Sequence, residues 1–445
     1  MEFYHTPDKL KEVAADAIRL ARQNGADAAE ADASESVSME VEVRGGVLDA
    51  MNMNRAQGLS LTVYLGAREG SASAGELSPA TIRATVDKAI SIARASAADP
   101  CCGLADKEMM ATEFADLSLY HPWPISPTDA IAMAQQCEEA AWDAHAAINR
   151  QKSESALSTG QAQSAYANSH GFCHAEAETF HSLSCAAIAE QDGQMERDGW
   201  GETRRCADDI PSAADIGGKS GRRAARRLGG KKVTARRANV LFQAPVSHSL
   251  IHHFLAAASG GALYRKTSWL LDKLDCPIFA PHLNIWERPH LPGEMRSANY
   301  DDEGVATRER AVIDNGIWRG CFLSAYTARR LQRQTTGNAG GAHNLEVGGD
   351  MMSDKEMLDA LGDGLIITDL MGQGVNGVTG DYSRGAAGFW VEKGEIIHPV
   401  NEATIAGNLL EMLPAIIAIG KDAMRHGLVR CGSILIPNIM IGGGK

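Results

Sequence analysis

Apolar positions recur along this chain with two different periods, and the changes of period mark out its elements. From Pro7 the spacing is helical: Leu10, Val13, Ala17, Ile18 and Ala21 share one face. Thr6 suits the N-cap, Pro7 the first helical position, and Gly25 the C-terminal stop. The period then drops to two. Val37, Met39, Val41 and Val43 alternate with Ser38, Glu40, Glu42 and Arg44, Gly45-Gly46 supplies a turn, and Leu59, Leu61, Val63 and Leu65 alternate again. This is the pattern of antiparallel strands with one buried face. A second helix follows Ser78-Pro79, with Ile82, Val86, Ile90 and Ile92 available for burial.

The helix–strands–helix pattern then returns. A linker, residues 98–125, carries Pro100, Pro122 and Pro124. Ser126-Pro127 opens a helix, polar–apolar strands occupy residues 148–202, and another helix lies within residues 212–228. The third part reads as many short strands with few helices. It holds a strand at 239–242, a helix at 247–258, and a hairpin at 311–323 turning on Asn315-Gly316. Short helices follow Ser324 and Ser353, a helix spans residues 405–413, and Pro437 predicts an edge position for a last strand at 433–441. The expected fold class is α+β. Residues 1–97 and 126–230 form two α+β units of antiparallel strands with flanking helices, and residues 231–445 form a C-terminal β-rich domain with a few helices.

A chain of 445 residues predicts two or three domains. Its 43 basic and 56 acidic residues leave a net charge of −13, which speaks against non-specific nucleic-acid binding through phosphate neutralisation. The first residues are charged, with no apolar signal segment, and no run approaches the ~18 apolar residues of a membrane span. Nine cysteines without a CxxC pair read as reduced thiols, so the expected location is cytoplasmic.

Residues 362–395 are the densest in glycine, with six glycines from Gly372 to Gly388. Two readings stand: turns and bulges between strands, or a substrate groove lined by Gly372, Gly374, Gly377, Gly380, Asp381 and Arg384. The text LMGQGVNGVTGDYSRGAAGFWVEKGEIIHPVNEATIAGNL resembles the PmbA branch of the TldD/PmbA family, as do SGGALYRKTSWLLDKL, DDEGVATRERAVIDNGIW and TGNAGGAHN. Members of that family are named both as modulators of DNA gyrase and as metalloproteases. The resemblance implies a heterodimer in which a TldD-like subunit bears zinc and a catalytic glutamate, together acting on unfolded or short polypeptides. A homodimer is the other arrangement it allows.

The candidate metal segment is His248-Ser-Leu-Ile-His252-His253. His248 and His252 are four apart, on one face of a regular helix. The His-Glu-x-x-x-His pattern of the TldD branch, carried onto this chain, makes His248 and His253 the ligands and puts Ser249 at the glutamate. Positions five apart diverge by about 140° on a regular helix, so both could face one ion only across a widened turn. Cys431 falls where the TldD branch carries a ligand cysteine, and a thiolate suits zinc. The same residues also read as half-buried helix histidines and a small core cysteine. Serine cannot replace a carboxylate as base, so the expected role is the subunit lacking the metalloprotease glutamate. A self-sufficient zinc metallopeptidase and a gyrase-modulating binding protein are the alternatives. Asp301-Asp302-Glu303-Gly304, an acidic cluster open to a cation but without EF-hand spacing, reads as a solvated turn, and the loop at 337–341, followed by His343, as a turn or second groove wall. The basic run from Arg222 to Arg237 reads as a solvated helix end at a domain boundary.

Overall fold

The structure is a computed structural model that describes residues 2–443. Helix α1 (Pro7–Gln23) begins where the Thr6 hydroxyl accepts the Lys9 amide, and it buries the five apolar residues its spacing predicts. Strands β1 (Ala28–Arg44), β2 (Val47–Leu65) and β3 (Arg68–Ala74) follow, then α2 (Pro79–Ala95). The order repeats in α3 (Pro127–Ala144), β4 (Glu154–Asn168), β5 (Cys173–Gln191), β6 (Gln194–Arg204) and α4 (Ala213–Arg226).

These two stretches share one sheet. β1 pairs antiparallel with β4 from Glu30↔Asn168 to Arg44↔Glu154, and the six strands run in the order β3-β2-β1-β4-β5-β6. The β1–β4 pair therefore lies on a pseudo-twofold axis between two halves of equal design. The helices cover one face: Ala29, Ala31 and Ala33 pack with α1 and α2, and Met39, Val41 and Val43 with α3 and α4. Ile92, expected inside, is 37% exposed, because Ile82, Val86, Ala89, Ile90 and Ala93 already fill the inner face of α2. Residues 98–125 run in contact with the rest of the chain. Met110 bridges Val305, the Ala111 amide donates to the Gly304 carbonyl, and the Thr179 amide donates to the Leu119 carbonyl.

The C-terminal part is built on β7 (Arg236–Phe242) and α5 (Ala244–Ala258). β7 pairs with strand Gly364–Met371, which leads through Asp381–Glu392 and Glu395–Asn408 to Ile434–Gly442. Ile434–Gly442 pairs back onto β7, so the sheet closes into a barrel. Val240, Phe242, Leu365, Ile367, Ile434 and Ile436 belong to the main core, while the alternate residues Leu241, Ile366, Phe389 and Leu435 pack on helix Asp354–Leu361. A second, six-stranded sheet carries Asn284–Glu287, Arg310–Asp314 and Val429–Cys431.

Three expectations change here. Pro437 is not on an edge: Ile434–Gly442 has strand partners on both sides, and Pro437 sits at a register shift between Ile436 and Ile439, the other place where a missing N–H is tolerated. Ile405 is not helical. Val400, Ala403 and Ile405 are buried inside strand Glu395–Asn408, and the helix is only Leu409–Met412, capped by Asn408. The hairpin at Asn315-Gly316 forms with both φ angles positive, but its second strand is only Ile317–Trp318.

Candidate functional site

α5 is a regular α-helix with Pro245 in its first turn. It therefore lacks the widened turn that would bring positions 248 and 253 together. The His248 ring meets His252 edge-on at 5.5 Å, whereas His253 packs edge-on against Tyr382 at 5.9 Å. Burial, then the nearby Arg384 and His252, push His253 down to about 4, so it is a neutral imidazole at neutral pH. The Ser249 hydroxyl donates to the Val246 carbonyl of its own helix at 2.7 Å. Cys431 is fully enclosed, its thiol donates to the Gly432 carbonyl, and burial pushes it up to about 12. Among the described residues, no three His, Cys, Asp or Glu side chains converge closely enough to hold a metal ion. His248, His253 and Cys431 thus do not make a ligand set in this arrangement.

The glycine-dense stretch forms a long hairpin between Gly364–Met371 and Asp381–Glu392. Gly372, Gly374 and Gly377 lie in its loop, and Gly380 is buried against Trp269. Gly374 is a close-approach position: a Cβ there would lie 1.8 Å from the Ser383 carbonyl oxygen. The Asp381 carboxylate accepts from Thr379 and Asn408, which keeps it below the usual carboxylate range. Arg384 donates to the Leu370 carbonyl across the hairpin. These six residues lie together, apart from the large chamber described next.

That chamber, about 810 Å³, lies between the helix-free face of the N-terminal sheet and loops of the C-terminal part. Asp32, Ser34, Ser164 and Glu176 form the sheet wall, in register across β1, β4 and β5. Arg296, Asp301, Asp302, Gly340, Gly341 and His343 form the other, so the loop around Gly337 to Gly341 does wall a groove. Its rim includes Ala56, Gln57 and Gly58 of β2. β3 pairs with β2 only from Leu59 onward, so among the described residues no strand covers the outer edge of β2 at that rim.

Buried charge holds the loop wall in place. Glu287, 2% exposed, accepts from Arg310, Asn338 and the His343 amide, and its carboxyl stays below the usual range despite burial because His343 and Arg310 stand beside it. Asp301 is not the solvated turn expected: it is 3% exposed and accepts the amides of Glu303, Val305 and Ala339. Burial pushes Asp301 and, across the chamber, Asp32 up to about 6.

Glu303 rises further, to about 7, through burial and then the charges of Asp301 and Glu30, although it accepts the Ala325 amide. Between its ordinary 4.5 and 7, the folded state holds a proton that the unfolded chain has released. Stability therefore falls as pH rises through that window. Glu303→Gln keeps an acceptor for Ala325 and removes the cost. It is expected to exceed the parent in urea denaturation at pH 8 by about 1–3 kcal/mol, with the gap shrinking at pH 5. An equal gap at both pH values would refute the assignment.

Sequence reasoning passed over Asp32, Glu176 and Glu287. The period-two pattern marks the polar face of β1, but a polar face looks the same whether water or a second domain stands opposite.

Three family models match the sequence: PmbA/TldA metallopeptidase domain 1 over residues 29–93, its central domain over 120–228 and its C-terminal domain over 235–443. The chain belongs to the PmbA/TldD metallopeptidase family. Metalloprotease PmbA of Escherichia coli O157:H7 is 41% identical over 434 residues, 98% of this chain and 96% of the relative. A metalloprotease PmbA homolog of Haemophilus influenzae is 37% identical over 436 residues, again 98% and 96%. A solved structure from Bacteroides thetaiotaomicron, named for modulation of DNA gyrase, has a TM-score of 0.93 at 27% identity, covering 98% of this chain and 99% of that one. TldE from Thermococcus kodakarensis shares the fold, with a TM-score of 0.85 at 18% identity over 97% and 100%. The PmbA/TldD resemblance, close from about Arg237 onward and looser before it, thus holds over nearly the whole chain. The six-stranded sheet is shared between domain 1 and the central domain of the family.

Proposed function

We propose that this chain is the PmbA-type subunit of a two-chain cytoplasmic metallopeptidase acting on unfolded or short polypeptides. A TldD-like partner supplies zinc and the catalytic carboxylate. One observation carries the reading. Helix α5 bears histidines at 248, 252 and 253 but a serine at 249, whose hydroxyl is turned into its own helix. Position 249 thus offers no carboxylate to take a proton from a metal-bound water. No catalytic step is therefore assigned to this chain.

Its own contribution is to receive the polypeptide. The chamber is large enough for several residues of extended chain, and the bare edge of β2 at its rim offers main-chain donors and acceptors. Strand addition of that kind binds by backbone and so tolerates many sequences, provided the substrate is unfolded. Asp32, Glu176 and Asp302 on the walls favour a free amino end or basic side chains, with Arg296 and His343 available to a carboxylate.

A peptide-degradation assay with and without the TldD-like partner tests this. Activity is expected only when both chains are present, and it is expected to survive His248→Ala in this chain. Degradation by the partner alone at the same rate would sink the proposal.

A further inference from the structure

Apart from the chamber, a smaller pocket of about 280 Å³ opens between α4 and the barrel. Lys219, Arg222, Arg223 and Arg226 line one side; Gln243, Thr368 and Phe389 line the other. The four cations follow the spacing i, i+3, i+4, i+7, which puts them on one helix face. Like charges at those spacings repel, so the arrangement opposes helix formation unless something compensates it. Compensation inside the chain is small. Asp198 is the one carboxylate in the lining, and Arg223 already holds it at 3.0 Å, with Arg227 at 3.7 Å. No ion pair among the described residues involves Lys219, Arg222 or Arg226; Lys219 lies over Trp200 and Arg226 over Phe389. The helix dipole favours Arg223 and Arg226 in the last turn, but Lys219 and Arg222 come before it. Burial, and then Arg223 and Arg222, hold the Lys219 ammonium below its ordinary value against the pull of Glu202. All this occurs in a chain whose net charge is −13.

We propose that this pocket binds a compact polyanion carrying phosphoryl groups. Guanidinium groups present paired N–H donors that match phosphate oxygens, and three of the four cations are arginines. The volume suits a pyrophosphate or a small phosphorylated metabolite, and is too small for a folded partner. The exposed cations on α4 form the mouth, so the ligand enters from solvent and its binding clamps α4 against strand Asp381–Glu392. This site is independent of the peptidase reading above.

Calorimetric titration of the purified chain with inorganic pyrophosphate, at constant ionic strength, tests the site. One saturable site per chain is expected. Arg222→Gln and Arg226→Gln should each weaken it by about tenfold or more. Arg319→Gln, which breaks an exposed pair with Asp275 elsewhere, should leave it unchanged. Circular dichroism confirms that each variant is folded. Absence of saturable uptake, or equal weakening in all three variants, overturns the site. A hexa-aspartate peptide provides the second arm. Uptake of the peptide but not of pyrophosphate overturns the phosphoryl assignment in favour of a carboxylate ligand, and uptake of pyrophosphate alone supports it.

Discussion

Gly388→Ala is expected to destabilise the protein by about 3 kcal/mol or more, enough to abolish soluble expression in a marginal background. Gly388 lies in strand Asp381–Glu392, paired with Ile367 at a register shift. A Cβ built there falls 1.8 Å from the Ile366 carbonyl oxygen and 2.8 Å from its carbon. The obstacle is backbone in the adjacent strand of a closed barrel, so neither side can yield without breaking ladder hydrogen bonds. Gly372→Ala is the control. Gly372 has φ 75° with nothing within 4 Å of the added carbon, so its cost is only that of a left-handed alanine, about 1–2 kcal/mol. Guanidinium denaturation of both variants gives the comparison. Equal, small losses would show that the hairpin glycines serve turn geometry alone.

Glu287→Ala is expected to cost about 3–5 kcal/mol, the range for removing one partner of a buried ion pair. The loss would leave the Arg310 guanidinium and the donors of Asn338 and His343 facing an empty, dry space. Those donors belong to the loop that walls the chamber, so peptide binding should fall along with stability. The pH dependence has a definite sign. The folded carboxyl lies below its ordinary 4.5, so its stabilising contribution is complete above that value and is lost as pH falls through the folded pKa. Acid unfolding followed by tryptophan fluorescence should therefore begin at a higher pH, and be less steep, in Glu287→Ala than in the parent. Unchanged acid unfolding would mean that Arg310 and His343 find other partners.

Local signals were legible wherever the sequence controls the structure locally. Thr6, Ser78, Ser126, Ser324 and Ser353 all cap the helices they predict. The alternation in β1 gives its buried face correctly. Misreadings arose where distant chain decides. Pro437 could not reveal that β7, some two hundred residues earlier, would pair with its strand and leave it no open edge. Ile405 precedes a Leu-Leu-Glu-Met run that favours helix, yet strand pairing on both sides holds it extended. Most of the basic run is solvated as read, with Arg222, Arg226, Lys231, Lys232, Arg236 and Arg237 exposed, but Arg227 is buried among Glu196, Asp198 and Asp369. Of the candidate site, the absence of a carboxylate at Ser249 was readable directly. The chamber was not, since it exists only where two separately patterned regions meet.

The closure of the barrel also dictates an order of events during synthesis. β1 and β4 can pair once residue 168 has left the ribosome, so the N-terminal sheet can form early. β7 is made soon after but must wait for residues 434–442, the last strand described, before its second edge is covered. Until then an apolar strand containing Val240, Leu241 and Phe242 has an unpaired side, the kind of edge that recruits other chains. Newly made protein should therefore depend on chaperones mainly in its second half, and truncations that remove the chain from Ile434 onward should aggregate although the N-terminal sheet is intact.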